Sequence, residues 1–195
     1  MQELIVYING LFKPLKNAKV SILDRGLCYG DGLFETMRAF NGNVFRSNQH
    51  LERLFRSLPL IFMDLPMTLH EVNSVVKETL DRNKFKNAII RLTVTRGINE
   101  PSFQIDQEVA PTLVIHARPH QPLPKSIYCR GVNISLISMQ APALLGINQS
   151  LKTCNYLSNI LLLKFSQLQG SMEGIIVDPI LGVTEGATSN IFIVK

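Results

Sequence analysis

SLKTCNYLSNILLLKFSQLQGSMEGIIVDPILGVTEGATSNIFIVK, residues 150–195, is the stretch whose reading decides the fold. It opens on a polar lysine, Lys152, and runs into a leucine-rich helical pattern from Asn155 to Gln167. It then returns as β structure at Gly174 to Val177, Val183 and Asn190 to Val194, with a turn at Asp178-Pro179. Val132 to Ile137, just upstream, reads as one more strand, so this half of the chain alternates strand, helix and strand.

Working toward the N-terminus, His116 to Lys125 (HARPHQPLPK) holds three prolines in ten residues and reads as an interdomain linker. Before it, Ala88 to Thr95 and Thr112 to Ala117 are β-branched runs of strand length. A helix is expected from Ser47 or Asn48, either residue serving as N-cap, with Leu51, Leu54, Phe55 and Leu58 on its apolar face and Pro59 at its end. A second helix starts near Thr68, where Thr68 and Glu71 have capping-box spacing. Leu4 to Tyr7 and Leu11 to Pro14 flank Asn9-Gly10, a type I′ hairpin signal, and Asn41-Gly42 marks another turn between Leu33 to Ala39 and Val44-Phe45. The expected organisation is a small α+β domain over 1–117, a linker over 118–125, and a β-rich second domain begun over 126–195. That last part has 70 residues and no closing element, so the sequence reads as stopping in mid-domain.

A hydrophobic content of 46% with 18% charged residues is that of a folding chain, not a disordered one. The net charge of +5 comes from dispersed basic residues with no dense run, which argues against a nucleic-acid partner and suits phosphate or carboxylate ligands. Three cysteines, Cys28, Cys129 and Cys154, have no C-x-x-C spacing, so reduced thiols are expected and no metal site. No apolar run approaches transmembrane length and no signal peptide is evident, so a soluble cytoplasmic protein is expected.

Lys152 carries the chemistry. Near a helix N-terminus and, if enclosed, desolvated, its amine is favoured in the neutral form that attacks a carbonyl to make a Schiff base. Glu185, in a T-E-G turn about thirty residues on, is a carboxylate able to accept from a protonated pyridine nitrogen. Thr188 and Ser189 are small donors in the same loop, and Arg53, on the first long helix, can fork onto a phosphate. Each has an ordinary alternative: a solvated lysine, a surface turn, or an arginine paired to a nearby acid.

Together, Y-G-D-G-L-F-E-T at 29–36, H-L-E-R-L at 50–54, L-K-T-C-N-Y-L at 151–157 and V-T-E-G-A-T-S-N-I-F at 183–192 resemble, in order and spacing, the class IV aminotransferase family. These are the fold type IV pyridoxal-phosphate enzymes: branched-chain and D-amino acid aminotransferases and 4-amino-4-deoxychorismate lyase. The resemblance spans the whole chain and implies a two-domain α+β and α/β enzyme of which this is the first two-thirds. It further implies that pyridoxal 5'-phosphate is held on Lys152, which shuttles the substrate proton. Glu185 would pair with the pyridine nitrogen, Arg53 would bind the phosphate, and Tyr156, Thr188 and Ser189 would line the cofactor. Phe34 would face the substrate, and Arg38, Arg91 or Arg96 would meet its carboxylate. The arginine and histidine that follow T-R-G in D-amino acid aminotransferases are replaced here by Pro101, Ser102 and Phe103, which argues against that specificity. The implied reaction is amino transfer between an amino acid and a 2-oxo acid in a homodimer; the alternatives are the lyase, which eliminates pyruvate, and a non-catalytic shortened paralogue.

Overall fold

The computed structural model describes residues 3–100, 102–105, 109–138 and 151–195. The chain forms two compact units: Met1–Gln121 with Ser150–Cys154, and Pro122–Gln149 with Asn155–Lys195.

In the first unit, β1 (Ile5–Ile8) and β2 (Leu11–Pro14) form the expected hairpin, with Asn9 and Gly10 both at positive φ (44° and 89°) as a type I′ turn demands. A short helix, α1 (Arg25–Tyr29), follows; Asp24 caps it by accepting from the Gly26 amide, and Gly30 closes it in the left-handed region. Strand β3 (Gly32–Phe40) turns at Asn41-Gly42 into β4 (Asn43–Val44). Helices α2 (Ser47–Ser57) and α3 (Leu69–Arg82) come next, then β5 (Ala88–Thr95) and β6 (Thr112–Pro119). The strands pair antiparallel in the order β2-β1-β6-β5-β3-β4.

Strand alternation decides which side of this sheet is core. Leu33, Met37 and Ala39 of β3, Ile90 and Leu92 of β5 and Ile115 of β6 are buried with Leu51 and Leu54 of α2 and Val72, Val76 and Leu80 of α3. The intervening residues, Phe34, Thr36 and Arg38 on β3 and Arg91 on β5, lie on the opposite face.

The helix ends separate two kinds of signal. Thr68 accepts from the Glu71 amide while Glu71 accepts from the Thr68 amide, a complete capping box on α3. Thr68→Ala should cost about 1 kcal/mol in urea unfolding. The expected cap on α2 is corrected. Its N-cap is Arg46, in the left-handed region with no side-chain cap bond, while Ser47 is already helical and Asn48 instead accepts from Asn73. The two helices are thus tied side chain to side chain at the position read as a cap. Pro59 does end α2, starting a separate 3-10 turn over Pro59–Ile61.

The second unit is built on β7 (Ile134–Ser138), α5 (Leu157–Leu168), β8 (Glu173–Asp178) and β9 (Gly182–Gly186), preceded by α4 (Lys125–Arg130). β7 and β8 are parallel with α5 between them in sequence, and β9 returns antiparallel to β8. Leu162, Ile176 and Ala187 form its core, and Ser166 Oγ lies 2.3 Å from where a Cβ on Gly174 would sit, so only glycine lets helix and strand approach there. Asp178 Oδ1 accepts from the Ile180 and Leu181 amides and makes the expected turn.

The proline-rich stretch read as a linker contains the boundary between the two units, Gln121 to Pro122, with β6 continuing to Pro119 and α4 beginning at Lys125. This is possible because Pro119 ends the strand, where its missing N–H costs nothing. Two other readings of this region are corrected. α5 begins at Leu157, with Tyr156 as N-cap. Asn190 to Val194 is not a strand: no ladder partner reaches it among the described residues, and Phe192, Ile193 and Val194 are all more than four-fifths exposed. β propensity alone does not make a strand without a neighbour to bond.

Candidate functional site

Residues 151–154 do not lead a helix, which corrects the placement of Lys152 read from sequence. They run extended along the edge of β3 in the first unit. The Phe34 amide donates to the Lys152 carbonyl (2.8 Å), the Cys154 amide donates to the Gly32 carbonyl (2.9 Å), and Thr153 bridges Leu33 antiparallel. β4 occupies the same edge of β3 only at Ala39 and Phe40, which leaves the other end open for this segment. The backbone of Lys152 is therefore fixed by sheet hydrogen bonds.

Its side chain lies against Phe34, with Nζ 4.6 Å from the ring centroid; the Arg91 guanidinium carbon is 3.7 Å from the same centroid. The amine and the guanidinium converge on one ring, a spot suited to a carboxylate or phosphate. Facing Arg91 on β6 is His116, whose pKa is pushed down by burial and then by the charges of Arg91 and Arg118. Cys154, two residues past Lys152, has its thiol pKa raised, chiefly by burial, despite the Arg91 charge.

On the core side of β3, Glu35 is a carboxylate only 1% exposed beneath α2. Arg53 donates from Nε to Oε1 (2.5 Å) and from Nη2 to Oε2 (2.6 Å), and His50, one turn earlier on the helix, meets Oε2 from Nδ1 (2.8 Å). An ionised carboxylate only accepts, so His50 is the donor. Burial works to raise the Glu35 pKa, but the hydrogen bonds from His50 and Arg53 and their charges outweigh it and hold it below the ordinary glutamate range. Arg53 reaches from this carboxylate toward a small pocket lined by Leu33, Phe34, Glu35, Arg53, Leu54, Ser57 and Lys152. Three of the residues singled out in the sequence, Phe34, Arg53 and Lys152, meet there.

Arg38 and Arg96 do not. Arg38 donates to the Ala39 and Ala88 carbonyls (2.9 Å each) and stacks over Phe40, four residues and roughly 13 Å along the strand from Phe34. Arg96 is 4% exposed and is spent on Asp31 (2.7 and 3.0 Å) and the carbonyls of Ile61 and Phe62. Arg25 shares Asp31 and also donates to the Ser102 carbonyl, so this cluster fastens the loops that follow α2 and β5. Phe103 packs on Tyr29, and Pro101 lies outside the described residues. Of the arginines considered for a substrate carboxylate, Arg91 is the one beside Lys152.

Burial works to raise the Asp31 pKa, but its bonds to Arg96 and Arg25 bring it below the ordinary aspartate value. A carboxyl lowered in this way stabilises the fold when ionised in both folded and unfolded states. The contribution of Glu35 and Asp31 should therefore be whole above pH 4.5, the ordinary glutamate value, and drain away as pH falls through their lowered folded-state values. Urea unfolding from pH 7 down to pH 3 should show that decline, with a shallower slope in Glu35→Gln.

In the second unit, Tyr156 is half-buried at the N-cap of α5, and Glu185 is exposed on β9. Thr188 and Ser189 sit in a tight turn after β9, where the Gly186 amide donates to the Ser189 carbonyl (3.0 Å) and the Ala187 amide to the Gly174 carbonyl (2.8 Å). Asn159 of α5 donates to the Ala187 carbonyl (2.8 Å). The Thr188 hydroxyl was expected to donate to a ligand, yet its proton goes to Glu173 (2.9 Å), which leaves it an acceptor on its other side. Sequence reading missed Glu35, His50 and Glu173. Glu35 had a legible signal: a carboxylate at a core-facing position of an alternating strand requires cationic partners.

The amino-transferase class IV family model matches residues 32–195, the span that contains β3, the Lys152 segment and the Glu185 turn. The chain belongs to the class IV aminotransferases. A Methanocaldococcus jannaschii protein provisionally assigned as a branched-chain-amino-acid aminotransferase is 38% identical over 97% of this chain and 65% of its own length. A D-alanine aminotransferase of Staphylococcus haemolyticus is 32% identical over 97% of this chain and 66% of its own. In structure, the branched-chain aminotransferase of Thermoproteus uzoniensis with norvaline superposes on the whole chain and on 66% of its own, at TM-score 0.88 and 29% identity. This class IV chain thus spans about two-thirds of the relatives it matches, in the two-unit α+β and α/β arrangement expected of the family. No described helix is long and apolar enough to cross a membrane, and no cluster of metal-ligating side chains occurs among the described residues.

Proposed function

We propose that this chain carries the cofactor lysine of a pyridoxal-phosphate-dependent aminotransferase that moves an amino group between an amino acid and a 2-oxo acid. The observation that carries the reading is the Lys152 amine set against Phe34 in a pocket that Arg53 also lines. The donor set fits the cofactor: an amine for an aldehyde, a guanidinium for a phosphate, and a carboxylate for a pyridinium. Pyridoxal 5'-phosphate, when bound, supplies the electron sink that makes the Cα proton of an amino acid acidic.

Lys152 Nζ would hold the cofactor and would be the base that takes the substrate Cα proton and returns it. Arg53 binds phosphate through its fork; Glu35 takes two of its five donors and, with His50, sets its orientation. Glu185 would supply the carboxylate for the pyridinium, and Tyr156, Thr188 and Ser189 would help to hold the cofactor. Phe34 and Arg91 meet the substrate, Arg91 being, of the three arginines considered for its carboxylate, the one beside Lys152. The working enzyme is a cytoplasmic homodimer acting on small-molecule substrates.

Amino transfer is preferred over lyase chemistry because the curated relatives reported above are aminotransferases. A product assay separates the two. Amino transfer that depends on an added 2-oxo acid is expected; pyruvate released with 4-aminobenzoate from 4-amino-4-deoxychorismate would overturn it. Glu185→Ala should lower kcat by about 10²-fold or more, since the loss of a group that stabilises developing charge falls in that range.

A further inference from the structure

We propose that Glu173 is a positioning residue that holds the Thr188–Ser189 turn in shape for the cofactor. The proposal rests on the reading that this turn lines the cofactor. Glu173 opens β8 and is half-buried. Its Oε1 accepts from the Gly174 amide (2.9 Å), and its Oε2 accepts from the Thr188 amide (3.3 Å) and the Thr188 hydroxyl (2.9 Å). A carboxylate has about four lone-pair sites, and three donors converge on this one, none of them a cation.

Burial works to raise the Glu173 pKa, yet these neutral donors hold it below the ordinary glutamate range, so the group is ionised at neutral pH. An ionised carboxylate only accepts, so the Thr188 hydroxyl proton points back to Glu173 and its oxygen lone pairs are turned away from it. The turn is clamped on its other sides as well. Asn159 of α5 holds the Ala187 carbonyl, and a Cβ on Gly186 would lie 2.3 Å from Ser189 Oγ, so the turn closes on bare backbone. Among these clamps, Glu173 alone reaches the Thr188 side chain. It therefore fixes which polar face the turn presents at Thr188.

Amide hydrogen exchange on the cofactor-free full chain tests the hold directly. Glu173→Ala should speed exchange at Thr188 by about tenfold, the worth of one lost hydrogen bond, while β5 and β6 keep their protection. Glu173→Gln, whose carbonyl can serve the two Thr188 donors now on Oε2, should restore slow exchange at Thr188. Pyridoxal phosphate titration should follow the same order, with affinity about tenfold weaker in the alanine variant and recovered in the glutamine variant. Wild-type exchange at Thr188 in Glu173→Ala would overturn the proposal. So would faster exchange with cofactor affinity unchanged, or loss of protection spread evenly over both units, which is what a general stabilising role would give. A wild-type chain that takes up no cofactor would instead count against the functional reading, while the exchange arm still decides whether Glu173 holds the turn.

Discussion

Lys152→Ala is expected to abolish covalent cofactor attachment and to cut amino transfer by at least about 10⁴-fold, because one side chain serves as both nucleophile and proton carrier. The fold should hardly notice. Lys152 is tied into the sheet by its backbone carbonyl, and its side chain contacts Phe34. Removing a contact of that kind costs about 0.5–1 kcal/mol. Turnover assays beside thermal unfolding would show near-complete loss of one and little change in the other. An alanine variant that still transfers amino groups would remove Lys152 from the mechanism.

Arg53→Ala is expected to fail in both respects. It withdraws the phosphate fork, and it strips Glu35, 1% exposed, of its bidentate partner, leaving His50 as the remaining donor described there. Orphaning one member of a fully buried pair costs about 3–5 kcal/mol, and the cost here should fall below that range because the Arg53 side chain is 41% exposed and His50 stays. The same variant should bind pyridoxal phosphate at least tenfold more weakly, the worth of about one charge-assisted hydrogen bond. Arg53→Lys should keep a charge but lose the fork, recovering part of the stability and little of the affinity. The double variant Arg53→Ala with Glu35→Gln separates the two effects: stability should return with the buried charge gone, and affinity should not. Unfolding curves and cofactor titrations of the three variants check this.

Local chemistry was legible in the sequence wherever one or two residues suffice to state it. Asn9-Gly10 forces both positive φ angles of its hairpin, and Thr68 with Glu71 writes a capping box that the structure completes. The residues that gather at the Lys152 pocket were legible too, because Phe34, Arg53 and Lys152 each sit in a motif of fixed spacing. What the sequence hid depends on partners distant along the chain. Residues 151–154 read as a helix lead-in, since nothing local announces that Phe34 and Gly32 will bond them as a strand. Arg96 read as a ligand for substrate because its acid, Asp31, lies 65 residues away. Asn190 to Val194 has strand composition but no bonded neighbour among the described residues, and composition does not supply one. Glu173 was passed over because its partners are a neutral hydroxyl and amides, which carry no charge pattern to read.

The most direct test of the central claim is the absorption spectrum of the purified chain with added pyridoxal phosphate, before and after borohydride reduction, with the reduced adduct located by peptide mass. The account predicts a new visible band that reduction abolishes, with the adduct on the peptide that contains Lys152. No band, or an adduct scattered over surface lysines, would contradict it.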